Sequence, residues 1–275
     1  MTGAPERKED AYVSARRVLL DAVEALQDHR GAVVLVGAQA IYLHTGEGTL
    51  AVAPYTSDAD LVLNPGMLAA DPKIDALMHD AGFVRAPNVI GTWLGHGGVP
   101  VDLLVPEAVA GPGRRAARLG PHGDNVARKG RGLEAALVDN SIKTITALDD
   151  EDPRQFDVVV AGPAALLVAK LHKIADRRPN PRRQDNKDAL DVYRILQERP
   201  TEELAAGIQR LLTDERSAEV TGEALAYLRE LFGSTESLGV AMAGQAVEGI
   251  EDPATIAESS TALARDLLIA AGAAG

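Results

Sequence analysis

Two aspartates, Asp58 and Asp60, stand at the head of the apolar run Ala59–Leu63, which closes on Asn64-Pro65-Gly66. On a β-strand alternate side chains share a face, so both carboxylates project together while Leu61 and Leu63 point the other way. Like charges on one face repel, and burying them unpaired is costly. A divalent cation removes that penalty: Mg²⁺ favours hard oxygen ligands, commonly one or two carboxylates completed by phosphate oxygens and water. Asp102 repeats the theme by interrupting the otherwise apolar strand pattern of Val99–Val105. Two metal ions held by three carboxylates would stabilise both the attacking and the leaving oxygen of a phosphoryl displacement. An Asp-x-Asp pair also arises by chance, and Ser57-Asp58 reads equally as a turn or a cap.

The surrounding periodicity sets these aspartates in a mixed α/β region. Residues 8–29 carry Tyr12, Ala15, Leu19, Ala22 and Leu26 at three- and four-residue steps, which predicts an amphipathic helix. Ala32–Val36 is a short β-branched run between glycines, the pattern of a buried strand, and Gly37 turns the chain into a helix over Ala38–His44. Residues 67–80 read as a helix, and Gly82–Arg85, Gly91–Gly95 and Val99–Val105 as strands. From Pro106 to Gly132 periodicity is lost in a Gly-, Pro- and Arg-rich stretch, of the kind that is either mobile and functional or disordered. Leu133–Val138 and Phe156–Val160 look like strands. Beyond Pro163 every segment is helical in pattern: 164–177, 185–198, 202–213, 216–232 and about 254–271. The expectation is an α/β (α+β) domain over residues 1–162, a mixed sheet flanked by helices, followed by an all-α domain over 163–275.

Composition narrows the chemistry. The chain has no cysteine, which excludes disulfides, cysteine-ligated zinc and thiol catalysis. The first ten residues are too polar for a secretory signal, and the longest apolar run, Ala32–Leu43, is too short to span a bilayer. A cytoplasmic protein without a membrane partner is expected. Net charge is −12, yet residues 111–200 hold 17 of the 28 basic side chains against 13 acidic ones. Arginines between residues 114 and 131 and between 177 and 183 offer forked donors to phosphates. A solvated mixed-charge surface would show the same composition. With one Trp, three Phe and five Tyr in the chain, a folded RNA gripped by shape suits such a patch better than a splayed single strand.

The order of these motifs resembles a known family. Val34-Leu35-Val36-Gly37-Ala38-Gln39-Ala40, then Thr56-Ser57-Asp58-Ala59-Asp60-Leu61, then Val101-Asp102-Leu103, is similar to the minimal DNA-polymerase-β-like nucleotidyltransferases. More narrowly it looks like their AbiEii/MenT toxin branch, over roughly residues 30–195. The resemblance implies that Asp58, Asp60 and Asp102 hold Mg²⁺ or Mn²⁺, and that Gly37, Ala38, Ser57 and Lys173 line the NTP. Free N–H groups at a helix start face phosphates in such folds. The family turn usually reads Gly-Ser or Gly-Gly; here it is Gly37-Ala38, leaving only backbone donors. A lysine followed by a basic-Asp-x-x-Asp stretch matches Lys170 and Asp188, with Lys173 and Asp191 beside them. Lys170 would neutralise triphosphate charge and Asp188 would orient that lysine or the acceptor hydroxyl. An ordinary interhelical salt bridge accounts for the same residues.

The resemblance further implies transfer of a nucleoside monophosphate to an acceptor hydroxyl, with a tRNA 3′ end as acceptor and an antitoxin protein as partner. Two alternatives stand beside it. A small acceptor of the aminoglycoside kind suits the acidic net charge, and a non-catalytic nucleotide-binding scaffold suits Ala38.

Overall fold

The computed structural model describes residues 8–46, 55–180, 182 and 184–273. Arg183, and most of the Gly-rich connection before Ser57, lie outside the described residues. The chain divides into two compact units that interleave along it. One takes Met1–Ala40, Pro54–Gly130 and Ser141–Val160; the other takes Ile41–Ala53, Arg131–Asn140 and Ala161–Gly275.

The first unit is built on a mixed sheet. Its strands are β1 (Val33–Val36), β2 (Ala59–Leu63), β3 (Val84–Arg85), β4 (Thr92–Leu94), β5 (Pro100–Pro106), β6 (Arg128–Gly130), β7 (Asn140–Thr146) and β8 (Gln155–Ala161). The order is β3-β4-β5-β2-β1-β8-β7, with β6 pairing β5 off that path. β1 runs antiparallel to β2, and β2 runs parallel to β5. Leu35, Leu61, Val62, Leu63 and Leu103 are fully buried, so the apolar runs that flagged these strands are the core that fixes their register. Helix α1 (Lys8–Ala25) packs on β2 and β5 and against α3 (Ile74–Asp80). Its buried Ala15, Leu19, Ala22 and the following Leu26 are the periodic residues of the sequence, although the helix ends at Ala25 and tightens into a 3₁₀ turn over Gln27–Ala32.

Two helical and strand expectations are corrected. The helix expected over 67–80 exists only as α3, preceded by a 3₁₀ turn at Pro65–Met67, because Pro72 lacks the N–H a helix needs and disfavours helical backbone before it. Leu133–Val138 is not a strand but a 3₁₀ turn over Leu133–Leu137. The stretch Pro106–Gly132 is anchored: Ala110, Ala117, Val126 and Ala127 are completely buried. Ala117 N–H donates to the Ala127 carbonyl (3.0 Å), and the buried Trp93 Nε1 donates to the Val126 carbonyl (3.0 Å).

The second unit is helical: α4 (Pro163–Arg177), α5 (Asn186–Glu198), α6 (Thr201–Thr213), α7 (Ala218–Phe232), α8 (Leu238–Ala246) and α9 (Pro253–Ala270). Helix α4 packs against α5, α6 and α7 and is buried along most of its length. The Asp139 carboxylate accepts from the Ala165 N–H at the α4 start and takes Arg210 on its other oxygen. Among the described residues no helix is long and apolar enough to cross a membrane.

Candidate active site

Helix α2 (Gly37–Thr45) starts directly where β1 ends, on a glycine with φ +72°. Only glycine adopts that backbone without strain. A Cβ on Gly37 would also lie 2.9 Å from Asp60 Cγ, so the Asp60 carboxylate rests against the glycine that opens the helix. Asp60 is the register partner of Val36 across β1·β2 and of Asp102 across β2·β5. Side chains of register partners share a sheet face, so Asp60 and Asp102 stand side by side.

Asp58 lies just before β2 rather than within it. Its Oδ1 accepts from the buried Thr56 hydroxyl at 2.5 Å, and its carbonyl accepts from Gln39 Nε2 at 3.0 Å. Gln39, on the first turn of α2, is itself held by Arg16 Nε, which donates to Gln39 Oε1 at 2.8 Å. Arg16 is buried and donates further to the Thr146 carbonyl at 2.9 Å. This network clamps the backbone that carries Asp58. Ser57 is exposed and Ala38 is buried, so any contact of Ala38 with a ligand is through its backbone.

Asp102 has two neighbours that sequence reasoning missed. Thr92, its register partner on β4, donates its hydroxyl to Oδ1 at 2.5 Å. Arg128 forms an ion pair with Oδ2. Side-chain exposure is 18% for Asp102 and 38% for Arg128, and a pair that open to water contributes roughly 1 kcal/mol or less. By composition Arg128 belongs with the arginines available to a polyanion; in the structure it pairs with the strand aspartate.

Whether these carboxylates suit a metal ion divides in two. The donor chemistry is that of a hard divalent cation. Asp102 is engaged by Arg128, and Asp58 by the Thr56 hydroxyl. Among the described residues no group of three or more His, Asp or Glu side chains is disposed to hold a metal ion. The donors therefore suit a site that substrate oxygens would complete, with Asp60 and Asp102 in register on one sheet face.

In the second unit Lys170 is buried between Asp188 and Asp191, with Nζ donating 2.7 Å to each. Asp188 also takes Lys173 at 3.0 Å and Arg177 at 3.0 Å. Burial works against charge on both partners. The two carboxylates nevertheless hold the Lys170 ammonium well above the usual lysine range, and Lys170 and Lys173 hold Asp188 well below the usual carboxylate range. Three cations meet two carboxylates, and the surplus charge falls on Lys173 (40% exposed) and Arg177. The interhelical salt bridge that the sequence also allowed is thus present, and it is buried.

The remaining basic candidates divide. Arg131 is gripped by Glu219 and Glu223, and Arg178 by Glu230. Arg114, Arg115 and Arg118 are exposed and have no ion-pair partner among the described residues.

A mixed sheet whose central strands hold carboxylates in register, beside a glycine that opens a helix, belongs to the class of folds that handle nucleotide phosphates. The sequence pattern of a nucleotidyltransferase family matches residues 16–213, from within α1 to the end of α6, and takes in the aspartates. The chain belongs to that family and is a nucleotidyltransferase. No curated protein and no solved structure matches it.

Proposed function

We propose that the enzyme transfers a nucleoside monophosphate from an NTP to an acceptor hydroxyl, with Mg²⁺ or Mn²⁺ held by Asp58, Asp60 and Asp102. The observation that carries this reading is Asp60, which rests on Gly37 and is in register with Asp102. When bound, divalent metal neutralises charge on the attacking and leaving oxygens. The chain supplies the rest. Backbone N–H groups in the first turn of α2 donate to phosphate oxygens, aided by the positive end of the helix dipole. Ser57 offers the exposed hydroxyl that Ala38 lacks. Thr56 and Gln39 fix the direction of Asp58, which matters because positioning supplies much of the rate in such transfers. The sequence resemblance assigns triphosphate charge to Lys170 and Lys173, with Asp188 orienting them.

The acceptor we propose is RNA, a tRNA 3′ end as in the AbiEii/MenT toxins, in the cytoplasm and under the control of an antitoxin. Exposed Arg114, Arg115 and Arg118 support it. A small cationic acceptor is the second reading, favoured by the engagement of Arg131, Arg177 and Arg178 with carboxylates and by the net charge of −12.

The test is incubation with each α-³²P-labelled NTP, Mg²⁺ and total tRNA beside an Asp60→Ala control. We expect label on tRNA from one or more nucleotides, absent in the control. Label that appears only on an aminoglycoside added in parallel would move the acceptor to the second reading.

A further inference from the structure

We propose that Arg128 is the resident cation of the carboxylate site and competes with the divalent metal for Asp102. The inference rests on the reading that Asp102 takes part in metal binding.

A strand aspartate that is largely covered is stabilised by a positive partner, whether or not metal is present. Arg128 is placed to be that partner by its backbone rather than by chance contact of a long side chain. Its strand, β6, pairs with β5 in the register Leu104↔Arg128, two residues along the strand from Asp102. On its other side Arg128 bridges Ala116, and the neighbouring Lys129 N–H donates to the Arg115 carbonyl at 2.8 Å. The close approach requires Gly91: a Cβ there would lie 2.5 Å from the Arg128 nitrogen and 2.8 Å from the Leu103 carbonyl oxygen. The chain thus threads β6 through a gap that only glycine leaves and delivers a guanidinium to Oδ2 of Asp102.

The same geometry makes the pair exchangeable. Thr92 holds Oδ1 independently, so the carboxylate keeps its orientation if Arg128 leaves. Arg128 is half open to solvent and has a long flexible stem, so its head moves without unfolding β6. A divalent ion at Asp102 meets the guanidinium as a like charge and displaces it. Once displaced, the fork suits phosphate oxygens, the other planar partner of arginine. Arg128 therefore lowers metal affinity in the free enzyme and keeps the aspartate neutralised until metal and nucleotide arrive together.

The experiment is calorimetric titration of Mn²⁺ into the full chain without nucleotide, for wild type, Arg128→Met, Arg128→Lys and Asp60→Asn. Met keeps the stem and removes the charge; Lys keeps the charge and guards against a purely steric effect. We expect Arg128→Met to bind Mn²⁺ about fivefold more tightly than wild type, equivalent to about 1 kcal/mol. Arg128→Lys should stay close to wild type, and Asp60→Asn should bind weakly. Circular dichroism checks that the variants remain folded. Wild type that binds Mn²⁺ as well as or better than Arg128→Met overturns the competition while leaving the metal reading in place. Tighter binding by Arg128→Lys as well would also overturn it, since charge would then not be the cause. Absence of Mn²⁺ binding in all four proteins overturns both.

Discussion

Gly37→Ala leaves a folded protein whose nucleotidyl transfer falls by about 100-fold or more, the expected outcome of two effects that meet at one Cα. The first is backbone strain. At φ +72° an alanine costs on the order of 1 kcal/mol, which a domain of this size tolerates. The second is local: the new methyl occupies space that Asp60 fills, 2.9 Å from its Cγ, so the carboxylate must turn away. A displacement of roughly 1 Å at a reacting group costs about 100-fold in rate. Gly46 separates the two effects, because its φ of +62° imposes the same strain while a Cβ there meets nothing within 4 Å. Gly46→Ala should lose a similar amount of stability and keep its activity. Melting curves and initial rates of NMP transfer measured on both variants decide the matter: equal activity in the two would mean that Asp60 does not depend on Gly37.

The elements that carry this chemistry were the ones readable from sequence. Strands β1, β2 and β5 are central and buried, so they had to be written in β-branched and leucine-rich runs broken by glycine, asparagine or proline. Elements that lack such a constraint were not legible. Strand β7 (Asn140–Thr146) ends the sheet, has mostly exposed side chains and shows no clean alternation. Helix α8 (Leu238–Ala246) is apolar and glycine-containing, with no polar face to reveal its period. Leu133–Leu137 is apolar because Leu133, Ala135 and Ala136 are buried beside α4, a need that a 3₁₀ turn meets as well as a strand does. Pro106–Gly132 has no periodicity because its anchors are isolated: a buried alanine or valine here and there, tied to Trp93.

The site divides in the same way. Asp58, Asp60 and Asp102 were visible because charge inside an apolar run is rare. Their neighbours were not, because each comes from far along the chain. Arg128 reaches Asp102 across 26 residues and Arg16 reaches Gln39 across 23. Gln39 and Thr92 left a faint signal, as polar residues within otherwise apolar segments. Arg128 left none; in the sequence it is one arginine in an arginine-rich stretch, and only the pairing of β6 with β5 distinguishes it.

Lys170→Met tests the cluster of the second unit and should destabilise the protein by about 3–5 kcal/mol, roughly 10 °C in melting temperature. The reason is Asp191, which is 1% exposed and has Lys170 as its only cation among the described residues. Asp188 is protected, since Lys173 and Arg177 remain at 3.0 Å. Removing the orphaned charge as well, in Lys170→Met/Asp191→Leu, should recover most of the loss, because a buried ion pair and an apolar pair of similar volume are close in stability. Lys173→Met should cost less than about 1 kcal/mol, being an exposed partner of a carboxylate with two other cations. The pH dependence follows from the shifts. Asp188 is held below its ordinary pKa, so its contribution is complete above about pH 4 and is lost as pH falls through the depressed value. Lys170 is held above its ordinary pKa, so its contribution persists through neutral pH and is lost only in strong alkali. The gap in melting temperature between wild type and Lys170→Met should therefore be flat from about pH 7 to 9 and shrink as acid protonates the carboxylate that Lys170 leaves unpaired. If Lys170→Met and Lys173→Met melt alike across that range, the buried cluster does not hold the helices as described, and Lys170 is free to act on phosphate charge instead.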